Sequence, residues 1–183
     1  MKCVALLLVL FASCAAYSQP GTIVIIRHAE EPSGNSIHLS PKGERRAEAL
    51  ATFFQTNAIV TRHGQAVALF APKPKPQKSR RSEETLLPTA EALNLSIREP
   101  FTEEQYPLLA KRILKDPGLK GKTVIIAWTH GSIAKLAAAL GARSTPSRWK
   151  DSVYDRLYVI TRSNGRVTFR DLPQRLLPGD SKR

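Results

Sequence analysis

Cysteine is nearly absent from this chain: 183 residues carry two, Cys3 and Cys14, both near the amino terminus. Beyond Cys14 there is no disulfide to staple loops and no thiol to act as nucleophile or soft metal ligand. Acidic residues are also few, 15 Asp and Glu against 28 Lys and Arg, a formal net charge of +13. Such an excess attracts anions. It is spread along the whole chain, however, with no RRM-like or zinc-knuckle signature and no basic helix with interleaved aromatics, so nucleic acid is not the expected partner. No apolar run reaches the length of a membrane span. No HExxH or cysteine–histidine spacing occurs, so neither a catalytic metal nor another cofactor is expected. No internal period suggests repeats, and nothing in the pattern specifies an oligomeric state. What is present is one domain of ordinary composition, 42% hydrophobic and 23% charged, enough for a full core.

The amino terminus is set aside first. Met1 and Lys2 give a positive start, residues 3–12 (CVALLLVLFA) an apolar stretch, and residues 13–18 (SCAAYS) small residues suited to cleavage. Residues 1–18 therefore read as a secretory signal peptide, cut after Ala16 or Ser18, and the protein is expected to be exported, periplasmic or secreted. The alternative is a lipoprotein: Phe11-Ala12-Ser13-Cys14 resembles the bacterial lipobox, with Phe where Leu is usual, and would put a lipid anchor on Cys14. Lys2 is the one charged residue in this segment, so the basic character belongs to the domain beyond it. The folded domain is expected over residues 19–175 and a tail over 176–183, with weak order expected from Pro173 on.

Two short stretches organise the rest. Residues 21–30 (GTIVIIRHAE) and 123–131 (TVIIAWTHG) are apolar, β-branched runs that stop at a histidine, as strands covered on both faces do. Between and after them the pattern predicts a helix opened by Ser40 as N-cap and Pro41 and ending near Asn57, and a strand over 66–71. It predicts a proline-rich loop over 71–79, and a helix from Ser82 that Pro88 should kink or split. A brief strand over 96–97, a helix over 104–114, and a helix over 132–140 closed by Gly141 come next. Two strands, 156–161 and 166–170, flank Ser163-Asn164-Gly165 and should form an antiparallel hairpin. The order is that of an α/β fold: a three-layer α/β/α sandwich with a mostly parallel central sheet and a C-terminal antiparallel hairpin.

In such sheets ligands bind beyond the carboxyl ends of the strands. Arg27 and His28 end the first strand and His130 lies just past the later one, so both imidazoles should face one crevice. Ser79-Arg80-Arg81-Ser82 places basic residues at a helix N-terminus, where backbone amides already favour anions. Guanidinium groups match phosphate oxygens bidentately. Together these residues describe a place for a phosphate.

These motifs resemble those of the histidine phosphatase superfamily, the phosphoglycerate mutase-like proteins, over most of the chain after the signal segment. RHAE stands for the family's RHG motif, with Ala29 in place of glycine. Residues 39–43 (LSPKG) with Ala47 stand for its first helix start, SRRSEET for its second arginine segment, and THG for its second histidine. The resemblance implies that His28 takes the phosphoryl group and that Arg27, Arg81 and His130 hold its oxygens. Arg81 is chosen over Arg80 because Thr85 lies four residues on. It implies a metal-independent phosphatase acting on small phosphorylated or other anionic substrates through phosphohistidine. The alternative is a catalytically weak phosphate-binding or regulatory protein of the same fold.

The acid that protonates the leaving alcohol is left open. The aspartate that some relatives carry after the second histidine is replaced here by Gly131-Ser132. Glu103 and Glu104 lie at a suitable distance beyond Arg81, Glu99 is a third option, and the carboxylates could instead serve only to cap the next helix. His38 and His63 read as surface residues, Trp149 and Tyr154-Asp155 as packing and turn residues, and the loop 144–155 as long enough to flank a pocket. Glu30 receives no role.

Overall fold

The computed structural model describes residues 19–34 and 36–182. The signal-peptide segment and both cysteines lie outside the described residues, and among the described residues no helix is long and apolar enough to cross a membrane. At the centre β1 (Thr22–Arg27) and β4 (Thr123–Trp128) run parallel, paired from Thr22 with Thr123 to Arg27 with Trp128. Their side chains alternate between two covered faces. Leu50 and Phe54 of α1 (Pro41–Thr56) and Leu86 of α2 (Arg81–Leu93) cover Val24, Ile26, Ile125 and Ala127. Leu109 and Ile113 of α3 (Tyr106–Lys115) and Ile133 and Leu136 of α4 (His130–Ala139) cover Ile23, Ile25, Val124 and Ile126. Each of the Val, Leu, Ile and Phe side chains among them, removed from water, stabilises the fold by about 1.5–3 kcal/mol.

With β2 (Ala66–Phe70), β3 (Ile97–Arg98), β5 (Arg156–Ser163) and β6 (Arg166–Pro173), the sheet runs β3-β2-β4-β1-β5-β6. The first four strands are parallel, while β5 is antiparallel to β1 and β6 to β5. This is the three-layer α/β arrangement the sequence pattern predicts, hairpin included. Asn164 and Gly165 both take positive φ, 50° and 74°, as a two-residue hairpin turn requires. The topology also decides which loops meet. Chain leaving β1, β2, β3 and β4 and chain entering β5 all lie at one end of the sheet, and so does chain leaving β6.

Several boundaries differ from the sequence reading. Pro88 neither splits nor ends α2: buried Ser82, Thr85, Leu86 and Thr89 fasten the helix to the sheet on both sides of it, and that packing outweighs the missing amide bond. The stretch expected as one helix from Glu104 is a 3₁₀ turn, Glu103–Gln105, succeeded by α3 from Tyr106. The Thr102 and Gln105 side chains cap the turn reciprocally, and Pro107 has no amide to continue it. Helix α4 starts two residues earlier than expected, with Thr129 as N-cap and His130 as its first residue.

The tail is the largest correction. Instead of lying loosely after Pro173, it is tied back to the body. Gln174, only 3% exposed, donates to the carbonyls of Tyr154 and Arg156. The Asp180 carboxylate takes two bonds from Arg46, at 3.0 and 2.7 Å. Arg46, itself 1% exposed, forks its other edge onto Glu30 at 2.8 Å twice. Glu30 therefore does have a role: it joins the end of β1 to α1 and, through Arg46, to the tail. Burial alone would raise both carboxyls, but Arg46 overrides it, holding Asp180 at about 2 and Glu30 below its usual range. Gly43 belongs to the same junction, since a Cβ there would stand 2.4 Å from the Glu30 carbonyl oxygen.

Candidate active site

Because β1 and β4 are neighbours in register, their last residues emerge side by side, and the His28 amide donates to the Trp128 carbonyl at 3.0 Å. His28 is buried, 3% exposed, and its Nδ1 lies 2.8 Å from the carbonyl oxygen of Ala29. A carbonyl only accepts, so Nδ1 carries the proton and Nε2 carries the lone pair. Burial pushes the pKa of His28 down to about 4, aided by the positive charges of Arg27 and Arg81 and opposed by the Ala29 bond. The ring is neutral at pH 7 and has an available nucleophilic nitrogen. Thr85 fixes the backbone beside it, accepting from the Ala29 amide at 2.8 Å while donating to the Arg81 carbonyl at 2.6 Å. That links the end of β1 to the first turn of α2.

Arg27 is 1% exposed. It points into the loop before β5, where its Nη1 donates to the carbonyls of Asp151 and Val153. Its Nη2 donates to the Tyr154 hydroxyl at 3.1 Å, and its guanidinium carbon stands 3.9 Å from the centre of the Tyr154 ring. Arg81, the first residue of α2, donates through Nη1 to the Ser36 carbonyl and pairs through Nη2 with Glu31 at 2.6 Å. Arg80 faces away and is spent on Glu83. His130 opens α4, with Nε2 3.5 Å from an Asp151 carboxylate oxygen. Three atoms of this rim, Arg27 Nε, Arg81 Nε and His130 Nδ1, are buried with no hydrogen-bond partner. Each such orphan costs about 1–3 kcal/mol unless a ligand meets it, and Arg27 Nε and Arg81 Nε are cationic donors suited to an anion.

The structure separates the candidate acids. Glu103 reaches the α4 N-terminus, where its Oε1 accepts from the Ser132 hydroxyl at 3.3 Å and would stand 3.7 Å from a Cβ on Gly131. Ser132 in turn accepts from the Trp128 indole at 3.0 Å. Glu104 faces solvent on Lys75 at 2.6 Å, which holds its carboxyl at about 2 and keeps it ionised. Glu99 lies beyond β3 near Glu83 and Arg80, its pKa raised first by burial and then by Glu83. His38 is exposed against Glu84, and His63 binds the Thr22 hydroxyl. Trp149 is core, packed on Tyr158. Tyr154, expected among the packing residues, is part of the site. Tyr154, Asp151 and Glu31 escape sequence reasoning because they sit in loops without periodicity. For Tyr154 and Asp151 the signal available was topological: an antiparallel β5 brings the loop before it to the end of β1. Among the described residues no group of three or more His, Cys, Asp or Glu is placed to hold a metal ion.

No protein-family model and no curated protein sequence matches the chain. Solved structures do. A protein from Escherichia coli assigned as an alpha-ribazole-5′-P phosphatase superposes with a TM-score of 0.58 at 12% identity, over 87% of this chain and 98% of its own. Phosphoglycerate mutase from Bacillus anthracis superposes with a TM-score of 0.50 at 11% identity, over 85% and 94%. At these identities the likeness is one of fold, and it spans nearly the whole length of both structures.

Proposed function

We propose that this chain is a metal-independent phosphatase that hydrolyses phosphomonoesters, or related phosphoryl compounds, through a phosphohistidine on His28. The observation that carries the reading is a buried, neutral imidazole with Nδ1 spent on a backbone carbonyl and Nε2 free, beside two arginines that each keep a buried, unpartnered Nε. Nε2 attacks phosphorus in line. As the P–N bond forms and the P–O bond of the ester breaks, charge spreads over the three equatorial oxygens, and Arg27, Arg81 and His130 meet them. The leaving alcohol takes a proton from Glu103, the carboxyl placed beside the α4 N-terminus. Water then attacks phosphorus, gives its proton back to Glu103, and releases phosphate and neutral His28. Loss of one preorganised donor in comparable sites costs about 3–4 kcal/mol of transition-state stabilisation. The net charge of +13 suits anionic small-molecule substrates, and the amino-terminal segment supports export.

Hydrolysis of an aryl phosphate by the purified mature domain should be insensitive to EDTA and sensitive to vanadate. It should vanish in His28→Ala. Turnover in that variant above a mock preparation would refute the assignment, and a folded wild type that binds phosphate without turnover would favour a binding or regulatory protein.

A further inference from the structure

Glu31 begins a turn-rich loop, and the proposed reaction gives it nothing to do. Its carboxylate nevertheless lies between the two guanidinium groups of the site. Oε2 is 2.6 Å from Arg81 Nη2, while Oε1 is 3.4 Å from Arg27 Nη2 and accepts from the Tyr154 hydroxyl at 3.0 Å. We propose that Glu31 sets the affinity of the site, an internal anion that engages both arginines until the phosphoryl group of the substrate displaces it. The inference rests on reading the pocket as a phosphate site.

The donors of Arg27 are almost fully engaged, and each terminal nitrogen of Arg81 already has one partner. Arg27 spends Nη1 on the Asp151 and Val153 carbonyls, and Nη2 on Tyr154 and Glu31. Arg81 spends Nη1 on the Ser36 carbonyl and Nη2 on Glu31. Arg27 therefore offers a ligand only Nε, while Arg81 offers Nε and one remaining N–H on each terminal nitrogen. A phosphoryl group gains a two-pronged hold through a pair of neighbouring nitrogens. For both arginines that pair is Nε with Nη2, and both Nη2 groups are shared with the same carboxylate. Glu31 cannot stay in place beside an incoming dianion, since like charges at that range repel strongly. It can leave, because its side chain is 37% exposed and a rotamer change carries it into water.

The consequence is a penalty on every ligand that must displace Glu31 from the arginines. When a binding-competent arrangement is populated only part of the time, apparent affinity falls by that fraction. A ligand held by its phosphoryl group alone, free phosphate above all, bears the whole penalty. A substrate with further contacts to the pocket offsets it. Glu31 thus raises the dissociation constant of free phosphate and weakens product inhibition.

Calorimetric titration with inorganic phosphate tests this without requiring turnover. Glu31→Gln, which keeps the shape and removes the charge, should bind phosphate about tenfold more tightly than wild type, as expected if the competent state is populated about a tenth of the time. KM for a small aryl phosphate should fall in parallel. Glu31→Ala gives the same readout should the amide disturb folding, and melting curves identify that case. Arg81→Ala should lose phosphate binding in either background. Equal or weaker phosphate binding by well-folded Glu31→Gln and Glu31→Ala overturns the role of Glu31 alone. Phosphate binding by none of these proteins overturns the phosphate-site reading and the role of Glu31 with it.

Discussion

Asp180 offers a sharp test of how the tail is tied to the site. Its carboxylate is 4% exposed, accepts two charge-assisted bonds from Arg46, and also accepts from the Leu176 and Leu177 amides at 2.8 and 3.0 Å. Asp180→Asn removes the charge and at least one of the Arg46 bonds. Breaking a buried pair outright costs about 3–5 kcal/mol, but Glu30 continues to hold Arg46 on its other edge. The expected loss is therefore about 2–3 kcal/mol, a large share of the roughly 5–15 kcal/mol of a whole domain. For a chain of this size that lowers Tm by roughly 5–10 °C. Urea denaturation at pH 7, read as a shifted midpoint at constant slope, is the assay. The sign with pH comes from the depressed carboxyl. Asp180 sits at about 2 when folded and near the ordinary value of about 3.9 when unfolded. Its contribution is complete above about pH 4 and is lost as the pH falls through 2, so the gap between wild type and variant should close over that window. In an Arg46→Met background Asp180→Asn should cost far less, because the two residues act as a pair. A loss below about 0.5 kcal/mol at pH 7, the size of an ordinary surface substitution, would refute the latch.

Three further outcomes concern the site. The His28 imidazole, tracked by NMR, should titrate near 4; its depressed pKa favours folding above about pH 6.5 and that contribution is lost as the pH falls through 4, whereas a midpoint near 6.5 would mean the ring is solvated. Glu103→Gln should slow phosphorylation of His28 by an alkyl phosphate, read in a single turnover, by about 10²–10⁴ while sparing phosphorylation by an aryl phosphate whose leaving group needs no proton. Glu104→Gln should leave both rates near wild type; equal loss on both substrates in Glu103→Gln would remove it as the acid.

The parts of the fold visible in the sequence are those written in local chemistry. TIVII and TVIIAW announce strands covered on both faces, Ser40-Pro41 a helix start, and Asn164-Gly165 a hairpin, and each appears within a residue or two of its expected place. The convergence of Arg27, His28, Arg81 and His130 is legible for the same reason: each ends a strand or opens a helix at the carboxyl end of the sheet. What escapes is tertiary. Pro88 is tolerated because buried neighbours outweigh a local penalty. The tail is ordered by Arg46, 134 positions away from Asp180, and no periodicity announces that pairing. Asp151 and Tyr154 enter the site because antiparallel β5 returns its preceding loop to the end of β1, and Glu31 because the loop leaving β1 turns back over Arg27; no local pattern encodes either.

The proposed chemistry turns on a covalent bond between His28 and phosphorus. The most direct measurement is rapid quenching of the enzyme with a phosphoester at saturating concentration, then peptide mass spectrometry under conditions that preserve phosphoramidate. A phosphoryl group on the peptide bearing His28, formed and consumed at rates compatible with turnover and missing from His28→Ala, is the expected result. Turnover with that peptide unmodified at every time point, or a phosphoryl group on the peptide bearing His130 instead, would contradict it.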